Sequence, residues 1–413
     1  MVRDGETPDR QEQVFDLLME AERLQGSARE ALLAMSAPDL AEEVRTLLEQ
    51  LGSGASRILG PRPTDLAEAF VPEVGATLGS YCLVESLGVG GMGQVFLADD
   101  LDTPGRQVAI KLLRHRVVPA KHRQRFQREQ KAMEQLAHRN VGRILDADTT
   151  IDGEPYLVME RIDGAPITSY CDNHRLSIDQ RLRLFLHVCR GVAHAHRRHL
   201  LHRDIKPSNV LVAEIDGRSV AKLIDFGLAK AVDASVETGF SATGVVGTPT
   251  HMSPEALHGD KALDARTDVF SLGVLLHVLL TGQLPWVEPA TRPVNPFTAH
   301  FARSSRQPSE QLEQLDVEML ETVASRRGST PQQLLRRLRG DLDAIVGRAI
   351  ESDRGHRYAT VDTLRADLKR HLRAKPVRAR PRTPGYVLSR ALLRHQRTIT
   401  RAVRRLLPRH RTR

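Results

Sequence analysis

Gly88, Gly90 and Gly93 stand at the G-x-G-x-x-G spacing that lets a backbone without Cβ atoms close on a phosphate. The same spacing opens the first helix of a dinucleotide-binding fold, so spacing alone does not separate the two. The residues after the glycines separate them: positions 94–98, Gln-Val-Phe-Leu-Ala, are β-branched and apolar and continue as a strand, which makes the glycines the tip of a hairpin lid. Val108-Ala109-Ile110-Lys111 then puts a lysine at the end of another strand. A lysine ending an apolar run ordinarily snorkels to water, so Lys111 by itself says little. Polar groups gather again in residues 201–211, Leu-His-Arg-Asp-Ile-Lys-Pro-Ser-Asn-Val-Leu, and in residues 222–227, Lys-Leu-Ile-Asp-Phe-Gly. Asn209 and Asp225 there are hard oxygen donors of the kind that suits Mg²⁺.

Taken together and in this order, the glycine loop, Lys111, the 201–211 stretch, Asp225-Phe226-Gly227 and Ser253-Pro254-Glu255 resemble the protein-kinase signature set. Tyr156 to Glu160 is similar to the hinge strand of that family, Asp268 to Gly273 to the buried helix of its large lobe, and Glu351 to Tyr358 to its last subdomain. The resemblance covers about residues 80–370 and is strongest to bacterial eukaryotic-like (Hanks-type) serine/threonine kinases. It implies an α+β, bilobal fold, with a small β-rich lobe, a large helical lobe, a short helical N-terminal extension and a basic C-terminal tail.

The resemblance also implies roles. The loop residues Gly88, Val89, Gly90, Gly91, Met92 and Gly93 would bind the nucleotide, with Val95, Ala109 and Leu211 sandwiching adenine, Met159 guarding the back of the pocket, and Glu160 and Ile162 presenting backbone to the base. Lys111 would hold the α- and β-phosphates and needs a carboxylate partner, Glu129 in preference to Glu134. Asp204 would be the base, Lys206 would counter charge on the transferred group, and Asn209 and Asp225 would ligate Mg²⁺, with Mn²⁺ as the alternative ion. Lys206, two residues past the base, and Gly247-Thr248-Pro249 favour serine/threonine over tyrosine as acceptor. His251 stands where relatives often carry an aromatic, which leaves peptide specificity open. Arg203 would receive a phosphate on the activation segment, with Ser241 and Thr243 the candidate sites. The histidines 194, 196, 199 and 202 read as a helix end and a structural loop residue rather than a metal cluster.

Around that domain the chain divides by composition. The net charge is +9, yet residues 1–77 carry −8 and residues 371–413 carry +14 with no acid at all. The divisions are an acidic helical leader (1–51), a Gly-, Ser- and Pro-rich linker (52–77), a kinase domain (78–370) with an Arg-, Ser- and Gln-rich insertion at about 287–340, and the basic tail (371–413). Apolar residues at helical spacing, with Pro38-Asp39 opening the last run, predict two or three short helices in the leader. Three widely spaced cysteines disfavour a disulfide framework and a zinc site. With a charged start and no apolar run of about 18 residues, neither a signal peptide nor a membrane span is expected, and a membrane-spanning receptor role is not. The expected partners are ATP and protein substrates. Residues 386–407 mix arginines with apolar side chains as a basic amphipathic helix does, which suits an anionic membrane surface or an acidic partner. Tyr386 is the only aromatic after residue 371, which argues against stacking on nucleic acid. The expected location is cytoplasmic, peripheral at the inner membrane surface.

Overall fold

The structure is a computed structural model, and it describes residues 72–90, 93–112, 133, 136–150, 154–226, 249–260, 262–286 and 305–406. The acidic leader, the linker up to residue 71, Glu129 and Glu134, Gly91 and Met92, and the activation-segment residues Ser241, Thr243 and Thr248 lie outside the described residues.

Strands β1 (Thr77–Leu78), β2 (Tyr81–Gly90), β3 (Gly93–Asp100), β4 (Gln107–Leu112), β5 (Ile144–Thr149) and β6 (Pro155–Glu160) form one sheet in the order β1-β2-β3-β4-β6-β5. Their pairings are antiparallel. Alternation gives the sheet two faces. Phe96, Ala98, Val108, Ile110, Leu112, Tyr156 and Val158 fill a core on one of them. Val95, Ala109, Lys111 and Met159 fall on the other, the face that meets the site.

The large lobe begins with β7 (Gly164–Pro166) and α1 (Ile167–Asn173), followed by α2 (Ile178–His196). Ser177 and Gln180 close a capping box at the start of α2, which is where Ser-x-x-Gln before an apolar run predicts a helix to begin. β8 (Val210–Ile215) and β9 (Arg218–Leu223) make a three-stranded ribbon with β7. After the four-residue helix α3 (Pro254–Leu257) comes α4 (Ala265–Thr281), started by the Asp264 carboxylate on the Arg266 N–H at 2.8 Å and stopped by Gly282 at φ +83°. Nearly all of α4 is buried, and a Cβ on Gly273 would stand 2.7 Å from the Ala349 Cβ, so only glycine allows this approach.

Helices α5 (Pro308–Glu313), α6 (Val317–Ser325), α7 (Pro331–Leu338), α8 (Asp341–Ala349), α9 (Val361–Leu372) and α10 (Pro384–Leu406) complete the described chain. Leu312, Leu334 and Leu338 are fully buried in the large-lobe core, and Arg327 beside them donates to the carbonyls of Leu280 and Val323. The part of residues 287–340 that is described is therefore built into the lobe. Its polar composition hid a few leucines at helical spacing.

Candidate active site

The glycine loop expected to cover a nucleotide is a β2–β3 hairpin in which Gly88 pairs with Val95, Val89 with Gln94 and Gly90 with Gly93. Gly93 sits at φ +135°, a conformation that side-chain-bearing residues rarely adopt, and a Cβ on Gly88 would meet nothing within 4 Å. Across the sheet Val95 lies opposite Lys111, and Ala109 opposite Met159. The predicted lid, phosphate lysine and pocket-guarding methionine thus share one face.

Lys111 Nζ lies 2.9 Å from Asp225 Oδ2. Asp225 is at φ +61°, a left-handed conformation of the kind that collects at functional sites. It is fixed from behind, since the Ile224 N–H donates to the Asn209 carbonyl at 2.9 Å and the Ile224 carbonyl accepts from His202 Nε2 at 3.0 Å.

The loop carrying Asp204 is held by a buried carboxylate. Asp268, inside α4, accepts from the backbone N–H groups of His202 (2.8 Å) and Arg203 (2.9 Å) and meets His196 Nε2 at 2.7 Å. Burial alone would raise the Asp268 carboxyl, but the bonds from His196 and His202 outweigh it and leave its pKa below the usual range. This anchor holds Arg203 at φ +62°. His202 is fully buried, and burial lowers its pKa despite the nearby carboxylates. Its Nδ1 accepts from the Asp204 N–H at 3.3 Å, so the neutral ring donates from Nε2 to Ile224.

Asp204 Oδ2 meets Lys206 Nζ at 2.9 Å and Asn209 Nδ2 at 2.8 Å, and the same amide nitrogen donates to the Asp204 carbonyl at 2.8 Å. With its nitrogen committed in this way, Asn209 can offer a metal only Oδ1, which here accepts from Ser208 Oγ at 3.5 Å. Asp225 keeps Oδ1, since Oδ2 faces Lys111. Two hard oxygens suit Mg²⁺, which usually takes one or two carboxylates and completes its shell with waters and phosphate oxygens. Among the described residues no group of three or more His, Cys, Asp or Glu could hold a metal by itself.

Leu211 is paired with Pro166 on one side and Lys222 on the other, and Ile162 packs beside Gly142. Glu160 has a second role that its place in the hinge strand did not suggest. Its carboxylate takes Lys222 Nζ at 2.7 and 2.8 Å and the Arg143 N–H at 2.9 Å, while its own N–H donates to the Arg143 carbonyl. An ion pair thereby joins the six-stranded sheet to the three-stranded ribbon. The signal was a lysine three residues before Asp225, which is uninformative in isolation.

Glu255 forms a buried bidentate pair with Arg357 at 2.7 and 2.8 Å. Burial pushes its carboxyl up, the Arg357 bonds pull it down further, and it settles at about 2. His251 lies in the 3₁₀ turn Pro249–His251, its carbonyl accepting from Ser271 Oγ at 2.8 Å. Burial drives its pKa down to about 4, with Asp204 and Lys206 as its charged neighbours.

Residues 81–338 match the family model described as "Protein kinase domain". The chain is 38% identical to the serine/threonine-protein kinase Pkn1 of Myxococcus xanthus over 228 residues, 55% of this chain and 32% of that one. It is 32% identical to the serine/threonine-protein kinase PknB of Mycobacterium leprae over 305 residues, 72% of this chain and 44% of that one. It therefore spans between about a third and a half of the length of these curated relatives. The crystal structure of the Mycobacterium tuberculosis PknI kinase domain superposes with a TM-score of 0.52 at 22% identity, over 73% of this chain and all of that one, a likeness of fold.

Proposed function

The chain belongs to the protein kinase family, and from that premise we propose that it transfers the γ-phosphoryl group of ATP to serine and threonine hydroxyls of proteins, its own activation segment among them. The observation that carries the reading is the Asp204 carboxylate held between Lys206 and Asn209 on a loop pinned by Asp268.

In the proposed reaction the acceptor hydroxyl oxygen bonds to Pγ, the bond from Pγ to the bridging oxygen of ADP breaks, and the hydroxyl proton passes to Asp204. Such a transfer needs position and charge compensation more than covalent chemistry. Lys206, 2.9 Å from Asp204 Oδ2, would meet the charge on the transferred group. The lid, Val95, Ala109, Met159, Glu160, Ile162 and Leu211 would hold the nucleotide, and Lys111 would hold its phosphates. Glu129 is the proposed partner of Lys111 in the loaded enzyme, replacing Asp225. Asn209 Oδ1 and Asp225 would ligate Mg²⁺ or Mn²⁺, which when bound neutralises phosphate charge. The test is incubation with γ-labelled ATP and Mg²⁺, then phosphoamino-acid analysis. Label on serine or threonine, abolished by EDTA, is expected, and label on tyrosine alone would overturn the reading.

A second reading concerns place, and α10 supports it. Tyr386 and Arg390 face the large lobe, the Tyr386 hydroxyl donating to Asp341 at 2.9 Å and Arg390 pairing with it at 2.5 Å. Val387, Leu388, Leu392 and Leu393 remain 42%, 62%, 58% and 42% exposed. Among the described residues no helix is long and apolar enough to cross a membrane. An outward apolar face on a helix with six arginines and no acid suits a cytoplasmic protein lying on an anionic bilayer surface. Co-sedimentation with anionic vesicles at low salt, lost in Leu388→Gln/Leu392→Gln, is expected; equal sedimentation of the two proteins would leave an acidic protein as the partner of this face.

A further inference from the structure

Away from Asp204, the end of α9 and the turn after it enclose a surface pocket of about 280 Å³ lined by Ala366, Lys369, Arg370, Arg373 and Lys375. Four of its five lining residues are cations and none is an acid. Arg373 and Lys375 are exposed, Lys369 and Arg370 half-buried. The nearby acids are engaged elsewhere. Asp362 pairs with Arg365 at 2.7 Å, and the fully buried Asp367 accepts from the backbone N–H groups of Arg378 and Ala379 and from the Tyr358 hydroxyl. Arg190 of α2 adds to the field from the neighbouring helix. Burial first, and then Arg365, Arg190 and Arg373, lowers the pKa of Lys369, with Asp362 opposing them in part. A helix C-terminus favours a cation or two near its carbonyls. It does not account for four cations lining one cavity.

We propose that this pocket binds a phosphorylated serine or threonine segment of a protein. A phosphate brings close to two negative charges and three acceptor oxygens; the guanidinium fork of Arg373 can engage it bidentately, and Arg370, whose Nη1 donates to the Pro376 carbonyl at 3.3 Å, can add its remaining N–H groups. A carboxylate would supply half that charge to the same four cations. The choice of a phosphorylated protein over other phosphates rests on the function proposed above, because such an enzyme makes this group. A phosphate already placed on a substrate, or on another copy of the chain, would then dock here while a second hydroxyl meets Asp204.

The test uses the full chain without nucleotide and two peptides of residues 236–247, one phosphorylated on Thr243 and its unphosphorylated twin, read by fluorescence anisotropy. The phosphopeptide is expected to bind at least about tenfold more tightly, the scale of one charge-assisted contact. That difference should vanish in Arg373→Gln/Lys375→Gln, which keeps the wild-type melting temperature and its rate on a short unphosphorylated substrate. Equal binding of the two peptides, or preference retained by the double variant, overturns the proposal. So does loss in the variant of binding to duplex DNA or anionic vesicles when wild type ignores the phosphopeptide, which would make the pocket a nucleic-acid or membrane contact. The binding arm needs no phosphoryl transfer, so an inactive enzyme that still prefers the phosphopeptide would sink the kinase reading and leave the pocket standing.

Discussion

Asp268 is fully buried and accepts three hydrogen bonds, two of them from the backbone of the loop that carries Asp204. An asparagine of the same shape would turn an N–H₂ toward one of those donors. Asp268→Asn is therefore expected to cost about 1–3 kcal/mol of stability and to lower kcat more than it raises the KM for ATP, checked by urea melts and steady-state kinetics. A second expectation concerns pH. Burial holds His187, His251 and His277 at about 4, below the free value of 6.5. Each stays neutral in the folded state while the unfolded chain takes up a proton below 6.5, so stability is full above 6.5 and declines as pH falls toward 4. Each site accounts for at most about 3 kcal/mol. Glu255, depressed from 4.5 to about 2, adds a further decline between those values. Denaturant midpoints from pH 7 to 4 check the slope, and a flat profile would contradict it. At this scale the sequence was most readable: Lys111, Asp204, Lys206, Asn209 and Asp225 fall within two linked clusters. Asp268 as an anchor was not readable, because an acid in an apolar helix acquires meaning only when the loop it holds is in view.

Between elements, the Glu160–Lys222 pair ties β6 to β9 next to the expected adenine face. Lys222→Met removes the tie and leaves the Glu160 carboxylate with the Arg143 N–H. A several-fold weaker affinity for an ATP analogue is expected, with little change in the rate of bound complex, measured by calorimetry and single turnover. Unchanged affinity would show that the hinge is set by packing alone. The activation segment supplies another expectation, that mass spectrometry of active enzyme finds phosphate on Ser241 or Thr243; full activity of the Ser241→Ala/Thr243→Ala protein would remove the switch. The glycine-loop hairpin was legible because strand residues come directly after the glycines. The helices over 308–338 were not, because Arg, Ser and Gln outnumber the leucines that bury them.

Across the whole molecule, the C-terminal segment is a bound part of the lobe before it becomes a tail. Asp341 gathers His371, Arg380, Tyr386 and Arg390, while the Val377 N–H donates to the Tyr386 hydroxyl at 2.9 Å. Tyr386→Phe loses both hydroxyl bonds, so faster amide exchange in α10 is expected with the β-sheet unchanged. The charge split between the two ends of the chain was readable from composition. This anchoring was not, since it depends on a carboxylate at the start of α8 meeting side chains about 45 residues later. The proposed phosphoryl transfer would rest on Asp204, and the most direct measurement is the single-turnover rate of γ-phosphoryl transfer in Asp204→Asn beside wild type, with nucleotide affinity measured on both. A fall of about 10²–10⁴ at unchanged ATP affinity is predicted, the usual worth of a positioned base. Transfer by Asp204→Asn at near the wild-type rate would contradict it.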